Sequence, residues 1–522
     1  MPLPARLLSV GLIASAATAV VLADRPQRDP AVQLQLGDLM SRDGRHEEAL
    51  TAYRAAWDAG DGAWRVRAGK GLVRAALRTP EFRRVHATSA ELVRLAPEDG
   101  EALALDGDAL WAAGRFDEAD ARYQESTAAD PLQARALNGL ARSLAGRNQL
   151  DAALDLSTRA VSSPSREPEH FHTLGLINER LGRYSNAAAC FSEFLGQLSH
   201  RDRTERAVWT ERQVRFLRSF GERQPYAMAP DTGSATHVVP FRLERNKVVV
   251  RGSINGGREI DLVLDTGAEL TALTRRTAER FGVEPVVSMV SAGVGHIGPR
   301  NLLLGRIDTL SIGGLRLSNV PAMIKSPALS GLPAGEMDGF SPLDWGLSVR
   351  VDYVRRLVTI ARAFPEAPGE TVLPMRIDRL ALVRGTVDQA KPVNFVVDTG
   401  GEVVSISRSV FDRLGREPVR RIPVRVYGVS GWDRDAFVMP GLDVALEDVS
   451  LPNLSVVVLD LDAPSQLLGF DIGGIIGHKF LSKYLVTMDV QRSQLRLSGS
   501  SGNRSVEQSI SRHEPTDGLT DR

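Results

Sequence analysis

The sequence predicts a multidomain α plus β protein, in which an N-terminal α-solenoid of helix pairs is followed by two all-β lobes. Three observations lead to this fold class. Small residues recur at the spacing of stacked helix pairs, short β-branched runs cut by glycine begin at Val238, and part of this β-rich region is repeated. A chain of 522 residues is also too long for one hydrophobic core, so several domains are expected.

The composition is that of a folded globular protein. The hydrophobic fraction is 43%, the charged fraction is 25%, and 64 basic residues balance 64 acidic ones. This balance gives no indication of a nucleic-acid partner. With Cys190 as its one cysteine, the chain cannot form an internal disulfide or a multi-cysteine metal site.

Residues 1–23 have the pattern of a signal peptide. Arg6 precedes an apolar run over residues 7–22, and the end of this run offers small-residue cleavage sites at residues 17–19 and 21–23. The run is shorter than the ~20 residues that cross a bilayer, so a permanent anchor is the weaker alternative. The sequence therefore predicts an exported protein, periplasmic or extracellular, which contacts a membrane only if this segment stays uncleaved.

A helical-repeat domain is predicted over residues 31–200. Small residues recur at intervals of 34 or 36 residues, at Gly37, Gly71, Gly107, Ala141 and Gly175. Aromatic residues stand sixteen positions later in three copies, as Tyr53, Tyr123 and Phe191. This pattern resembles the tetratricopeptide repeat. An alanine is expected twelve positions after the small residue, and in the second copy Arg83 stands there instead. The resemblance implies a groove that binds a protein partner, while a spacer or an oligomerisation device remains an alternative.

The remaining boundaries follow from composition. Residues 217–237 lose the helical period and contain several glycines and prolines, so they are interpreted as a linker. The β-rich part divides into a first lobe over 238–360 and a second over 373–498. A polar tail over 499–522, rich in serine and charge, is predicted to be disordered.

The two lobes arise from an internal duplication. An offset of 133 residues superposes residues 251–255 on 384–388 and residues 260–267 on 393–400 without a gap. In each copy an apolar strand leads into Asp-Thr-Gly, at Asp265 and at Asp398. Two such triplets in a repeated unit are far less expected by chance than one. The alternative is a pair of turns in unrelated β domains.

The repeated triplet and its context resemble the retropepsin-like and pepsin-like aspartic proteases over nearly all of residues 238–498. The resemblance implies a catalytic pair, Asp265 and Asp398. Two carboxyls brought within about 3 Å of each other share one proton, so that one acts as a base and the other as an acid. The resemblance also implies supporting residues. The hydroxyls of Thr266 and Thr399 join the two aspartate loops, and Gly267 and Gly400 allow the tight turns.

The family also implies a mobile flap over the cleft. Glycine-rich turns offer two candidates, and plain hairpin tips are the alternative for both. The first lobe contributes Gly295, His296 and Gly298, and the second contributes Tyr427, Gly428 and Gly431. No metal ligand and no cofactor is predicted.

The predicted function is that of an exported aspartic endopeptidase acting on a peptide or protein substrate. The alternative is a non-catalytic scaffold with degenerate protease lobes. Two departures from the family pattern keep that alternative open. Pro342 stands where a second closing glycine is expected, and Gly401 stands where the first lobe has Ala268. Pairing of the lobes between two chains of a homodimer remains an alternative to pairing within one chain.

Overall fold

The structure is a computed structural model that describes residues 29–83, 85–230, 236–291, 300–325, 337–388, 392–416, 422–424, 426–428 and 431–499. The predicted signal peptide lies outside these ranges, as does the predicted tail from residue 500 onward. Two compact units divide the chain. One comprises the described residues within the bounds Met1–Leu140, Leu156–Phe171 and Glu193–Val208. The other comprises those within Ala141–Asp155, His172–Ser192 and Trp209–Arg522.

The N-terminal part is a series of helices joined by short turns. In chain order they are α1 (Pro30–Arg42), α2 (His46–Ala59), α3 (Gly62–Ala76), α4 (His86–Leu95), α5 (Gly100–Ala112), α6 (Phe116–Ala129), α7 (Ala134–Gly146), α8 (Leu150–Ser162), α9 (Pro168–Arg180), α10 (Tyr184–Gln197) and α11 (Glu205–Arg218). Side chains of Asp29 and Asp99 cap α1 and α5 by accepting hydrogen bonds from backbone N–H groups of the first turn. A 3₁₀ helix, Pro80–Arg83, precedes α4. Among the described helices, none is both long and apolar enough to span a bilayer.

Aromatic side chains fill the gaps that small residues leave between helices. A Cβ atom added to Gly107 would lie 2.5 Å from the Tyr123 ring, and one added to Gly139 would lie 2.3 Å from it. Tyr123 on α6 is therefore held between α5 and α7. Gly175 and Phe191 have the same relation, with a distance of 2.5 Å. This packing is the physical reason for the repeat spacing, and the predicted α-solenoid is confirmed.

Within the first unit, the start of α2 and the turn before it contact the segment that precedes α11. The Nε2 atom of His46 lies 3.1 Å from Oδ2 of Asp202, and both side chains are buried. A second ion pair joins Arg201 to Asp43 at 2.6 Å. Burial alone would raise the pKa of Asp202. Hydrogen bonds from His46 and Thr204 outweigh burial and lower it.

The first β lobe is a sheet that closes on itself. It contains β1 (Ala227–Met228), β3 (Arg242–Glu244), β4 (Lys247–Ile254), β5 (Ile260–Leu264), β6 (Thr271–Leu273), α12 (Arg275–Arg280), β7 (Pro285–Ser291), β8 (Arg300–Ile312), β9 (Leu315–Ile324) and β10 (Asp338–Phe340). The strand order is β1-β9-β6-β10-β5-β4-β8-β7, β3 pairs with β4, and an additional pairing of β8 with β9 closes the sheet. Strand β1 lies inside the segment interpreted as a linker, and α11 extends the helices beyond residue 200 to Arg218.

The second β lobe repeats this plan. It contains β13 (Thr371–Asp378), β14 (Leu380–Val387), β15 (Val393–Val397), β16 (Ser405–Ser407), α13 (Arg408–Arg413), β17 (Ile422–Pro423), β18 (Val426–Gly428), β19 (Gly431–Asp433), β20 (Phe437–Leu446), β21 (Val449–Leu459), α14 (Asp462–Leu468), β22 (Gly474–Ile476), α15 (His478–Leu481), β23 (Tyr484–Asp489) and β24 (Gln494–Gly499). A pairing of β14 with β20 closes this sheet. Two all-β lobes were predicted, and they are confirmed.

A set of adjacent strands joins the lobes. Its order is β13-β24-β23-β11-β12-β2, where β2 is His237–Pro240, β11 is Ser348–Asp352 and β12 is Leu357–Ala361. At its centre β11 of the first lobe pairs antiparallel with β23 of the second, with Val351 opposite Val486. Neither of these side chains is exposed, and both belong to one hydrophobic core that extends through the two lobes. The lobes therefore share a core within a single chain.

Candidate active site

Asp265 and Asp398 occupy equivalent places at the ends of two buried strands. Asp265 follows β5, and its backbone N–H donates to the carbonyl of Phe340 at 2.9 Å. Asp398 follows β15, and its backbone N–H donates to the carbonyl of Ile476 at 3.0 Å. Strands β10 and β22 pair in parallel with β5 and β15, respectively. Each lobe thus presents its aspartate from the same strand and loop arrangement.

Thr266 and Thr399 join the two loops through reciprocal hydrogen bonds. Each hydroxyl donates across the lobe boundary at 2.7 Å, from Thr266 to the Val397 carbonyl and from Thr399 to the Leu264 carbonyl. Each hydroxyl also accepts the backbone N–H of the other threonine, at distances of 3.0 and 3.2 Å. Because both side chains are almost fully buried, water cannot replace these bonds cheaply. The threonines therefore fix the position of each loop relative to the other.

Gly267 and Gly400 each face the aspartate of the opposite lobe. A Cβ atom added to Gly267 would lie 2.5 Å from Cγ of Asp398, and one added to Gly400 would lie 2.6 Å from Cγ of Asp265. Any side chain at either position would displace a carboxyl. The backbone N–H of Gly400 also donates to Oδ1 of Asp398 at 2.8 Å. The structure thus brings together all six residues that the sequence predicted for the centre of the site.

The surroundings of Asp398 favour its protonated form. Burial raises the pKa of this carboxyl, and the charge of Asp265 raises it further. The backbone N–H of Gly400 and the charge of Lys247 oppose the rise. Two interacting carboxyls titrate as a pair, and such a pair can hold one proton between a base and an acid. The arrangement therefore has the chemistry needed for general acid–base catalysis on a bound water.

Gly401, one of the two departures from the family pattern, has a local explanation. A Cβ atom at this position would lie 2.9 Å from Oδ2 of Asp398. The carboxyl of Asp398 leaves no room for a methyl group, whereas Ala268 is accommodated at the matching place in the first lobe. The glycine therefore fits the observed position of the aspartate.

The position assigned to Pro342 needs correction. The carbonyl of Phe340 accepts the backbone N–H of Asp265, as the carbonyl of Ile476 accepts that of Asp398. Phe340 is therefore equivalent to Ile476, and the next residue, Ser341, is equivalent to Gly477. Spacing alone could not reveal this, because strand pairing sets the register. Pro342 stands one residue further along, and its carbonyl accepts the N–H of Trp345 at 3.1 Å. The first lobe thus has a buried serine at the second closing position.

Sequence reasoning missed two side chains near the Asp398 loop. Lys247, the first residue of β4, reaches across the lobe boundary and donates from Nζ to the Gly400 carbonyl at 3.0 Å. Tyr353 packs edge-on against His478 with ring centroids 5.3 Å apart. Within the described part of the chain, the buried Tyr353 hydroxyl has no hydrogen-bond partner. Burial and then the charge of Asp398 raise the pKa of this tyrosine.

Of the two flap candidates, the structure describes the second. Gly295, His296 and Gly298 lie outside the described residues, between β7 and β8. Tyr427, Gly428 and Gly431 belong to a small hairpin of β18 and β19, in which Gly428 pairs with Gly431. In the described ranges, no group of three or more His, Cys, Asp or Glu residues could hold a metal ion.

Comparisons with known proteins agree with both halves of this description. Residues 250–338 and 383–480 match the aspartyl protease family model, and residues 87–168 match a tetratricopeptide repeat model. The two protease matches begin 133 residues apart, which is the offset of the duplication. No curated protein matches the chain in sequence.

Solved structures with similar folds are distant in sequence. An aspartic proteinase from Irpex lacteus is 14% identical, with a TM-score of 0.35 over 51% of this chain and 98% of its own. A tetratricopeptide repeat protein from Thermus thermophilus is 20% identical, with a TM-score of 0.29 over 32% of this chain and 91% of its own. The family matches, rather than these distant structures, confirm the predicted resemblance: the chain carries two aspartyl-protease-like lobes behind a tetratricopeptide repeat region.

Proposed function

We propose that this protein is an aspartic endopeptidase in which Asp265 and Asp398 of one chain together hydrolyse peptide bonds. The observation that carries the proposal is the reciprocal bonding of Thr266 and Thr399, which ties the two aspartate loops together. Such a tie matters because a displacement of about 1 Å can reduce a catalytic rate about 100-fold. A scaffold that only bound peptides would have no need for two carboxyls in this arrangement.

The proposed mechanism uses the single proton of the pair. The ionised carboxyl accepts a proton from a bound water as its oxygen attacks the peptide carbonyl carbon. The protonated carboxyl donates to the carbonyl oxygen, which gives a neutral tetrahedral diol. The carboxyl that accepted the water proton then donates a proton to the amide nitrogen as the C–N bond breaks. A diol hydroxyl gives its proton to the other carboxylate, which restores the singly protonated pair. Because the pair titrates as a unit, neither role is assigned to one aspartate.

Substitution of each aspartate tests the proposal. We expect Asp265→Asn and Asp398→Asn each to abolish cleavage of a peptide library by the purified protein. Asp412→Asn, at an exposed position on α13, is the matched control and should keep wild-type activity. Pepstatin should inhibit the wild type. Cleavage that survives in either active-loop variant would contradict the proposal, and tight peptide capture without product at acidic and neutral pH would favour the scaffold.

We also propose that the protein acts after export, in the periplasm or outside the cell. The charged start and apolar run of residues 1–23 support this. N-terminal sequencing of the protein isolated from separated cell fractions tests it. A mature chain that begins near residue 20 or 24, found outside the cytoplasm, is the expected result. An intact N-terminus in the cytoplasmic fraction would contradict export.

For the helical repeats we propose a peptide or protein partner. The match of residues 87–168 to the tetratricopeptide repeat supports it, since such arrays present extended binding surfaces. One similar solved structure, YrrB, is described as a tetratricopeptide repeat protein with an unusual peptide-binding site; it is 16% identical, with a TM-score of 0.23 over 35% of this chain and 92% of its own. Cross-linking of the full chain in its native extract should give partner cross-links on α1–α10. Partner cross-links confined to the β lobes would contradict the proposal.

A further inference from the structure

Arg379 lies at a turn of the second lobe that contacts both the first lobe and helix α11. It connects β13 to β14 and has a positive φ of 61°. Its Nε and Nη2 atoms both donate to Oε2 of Glu269, at 2.8 and 2.6 Å. Its Nη1 atom donates to the carbonyl of Leu467 at 3.1 Å. Because Glu269 follows Gly267 by two residues, Arg379 of the second lobe holds the active loop of the first.

Trp209 on helix α11 packs against the same guanidinium. The Arg379 Cζ atom lies 5.5 Å from the centroid of the Trp209 ring, within the range of a cation–π contact. The indole is itself fixed by an edge-on contact with Phe191 on α10, with ring centroids 6.2 Å apart. The aromatic face therefore limits where the guanidinium can lie.

Other helical residues hold the same β13–β14 hairpin by its backbone and flank. The Nη1 atom of Arg180 on α9 donates to the carbonyl of Ile377 at 3.0 Å. The Nη1 atom of Arg376 donates to the Ser143 hydroxyl of α7 at 2.9 Å. The hairpin is thus positioned from the helical side, while its tip binds the Asp265 loop.

The pair of Arg379 and Glu269 is shielded enough to transmit this position. Their side chains are only 24% and 31% exposed, so solvent screens the pair less than a fully exposed one. Two donor atoms converging on one carboxylate oxygen also define a direction, which a single flexible ammonium would not do. A shift of the guanidinium would therefore move the Glu269 carboxylate and the loop that carries it.

We propose that Trp209 is a positioning residue for the Asp265 loop: by packing on Arg379 it fixes the guanidinium that holds Glu269. The helical region thereby contributes to the geometry of the active site, although none of these residues contacts the reacting atoms. The inference rests on the proposed protease function for its kinetic consequence. The coupling itself is a property of the fold and is measurable without catalysis.

The kinetic test compares Trp209→Ala with Trp64→Ala in the full chain. Trp64 is the matched control, because it is an exposed helical tryptophan with its own arginine: the Arg67 Cζ atom lies 5.8 Å from the centroid of the Trp64 ring. We expect Trp209→Ala to lower kcat about 10-fold or more with little change in KM, since the loop carries a reacting group. Trp64→Ala should leave both constants unchanged. Equal kcat values in the two variants would overturn the proposal.

A second measurement keeps the test independent of activity. Hydrogen–deuterium exchange should rise in residues 264–270 of the Trp209→Ala protein and stay at the wild-type level in strand β20 (Phe437–Leu446) of the second lobe. Trp209→Tyr, which keeps an aromatic face, should restore the wild-type pattern. Unchanged exchange in 264–270 would overturn the coupling even if the protein is an active protease. Raised exchange in a protein that cleaves nothing would support the coupling and refute the proposed function.

Arg379→Lys covers the case in which Trp209→Ala does not fold. The lysine keeps the charge but cannot direct two donors at Glu269. We expect it to reproduce the exchange increase in residues 264–270. An exchange pattern identical to wild type in Arg379→Lys would also overturn the proposal.

Discussion

The Asp398 carboxyl links the chemistry of the site to the stability of the fold. Burial first, and then the charge of Asp265, raise its pKa in the native state. The native protein therefore binds a proton that the unfolded chain releases above its ordinary value of ~3.9. Stability contributed by a raised pKa is fully present below the unfolded value and is lost as the pH rises toward the native value. The contribution of the Asp398 carboxyl to the free energy of unfolding should thus be largest at acidic pH.

Substitution of Asp398 should remove this dependence. We expect the free energy of unfolding of the wild type to fall, relative to that of Asp398→Asn, by up to about 1.4 kcal/mol per unit as the pH rises from about 4 toward 7. Urea unfolding of both proteins across that range measures it. Asp412→Asn, which removes an exposed carboxyl, should follow the wild type. Parallel curves for wild type and Asp398→Asn would show that the pair of Asp265 and Asp398 does not bind the extra proton.

Gly401 supports a second prediction at the scale of one residue. Because an added Cβ would lie 2.9 Å from Oδ2 of Asp398, Gly401→Ala must move the carboxyl. We expect a loss in kcat of about 10-fold to 100-fold, with a destabilisation of no more than ~3 kcal/mol. Steady-state kinetics and urea unfolding measure the two effects. Ala268→Gly, the converse change at the matching place in the first lobe, should keep most activity; a larger loss there than in Gly401→Ala would refute the explanation.

At the scale of the helices, the spacing of small and aromatic residues should be visible in stability. We expect Gly107→Ala to destabilise the helical repeats by about 1 to 3 kcal/mol, because the new methyl group would overlap the Tyr123 ring. Gly196→Ala is the matched control: Gly196 lies in α10 with nothing within 4 Å, so alanine should stabilise that helix by up to ~1 kcal/mol. Urea unfolding followed by circular dichroism separates the two. Destabilisation of the same size in both would contradict the packing of Tyr123.

The same elements show what the sequence can and cannot predict. The helical period and the duplication are repeats along the chain, so spacing predicts the solenoid and the two lobes, while the resemblance to aspartic proteases implies the pairing of Asp265 with Asp398. The place of Ser341 could not, because it depends on which residues pair across β10 and β5. Lys247 and Arg379 were missed for a similar reason. Each side chain contacts a residue of the opposite lobe, Gly400 for Lys247 and Glu269 for Arg379. The sequence of a single lobe does not indicate which residue of the other lobe is contacted.

At the scale of the β lobes as a whole, one chain supplies both halves of the site. Strands β11 and β23 pair at the centre of the joining sheet, so the lobes cannot separate without breaking backbone hydrogen bonds. The connection between the lobes is also held in place. Arg496, which has no exposed surface, donates to the carbonyls of Phe364 and Pro365 and to the carboxylate of Glu370. A buried guanidinium that loses these partners would be strongly destabilising.

This construction predicts that chains do not exchange lobes. Asp265→Asn and Asp398→Asn chains, mixed and then unfolded and refolded together, should give no cleavage, because each chain pairs its own lobes and carries one defective aspartate. In the control, wild type refolded together with Asp265→Asn should show the activity expected from the wild-type chains alone. Gel filtration with light scattering should find the active wild-type species at the mass of one chain. Recovery of activity in the mixed variants, together with a dimer mass, would instead mean that lobes of neighbouring chains form the site.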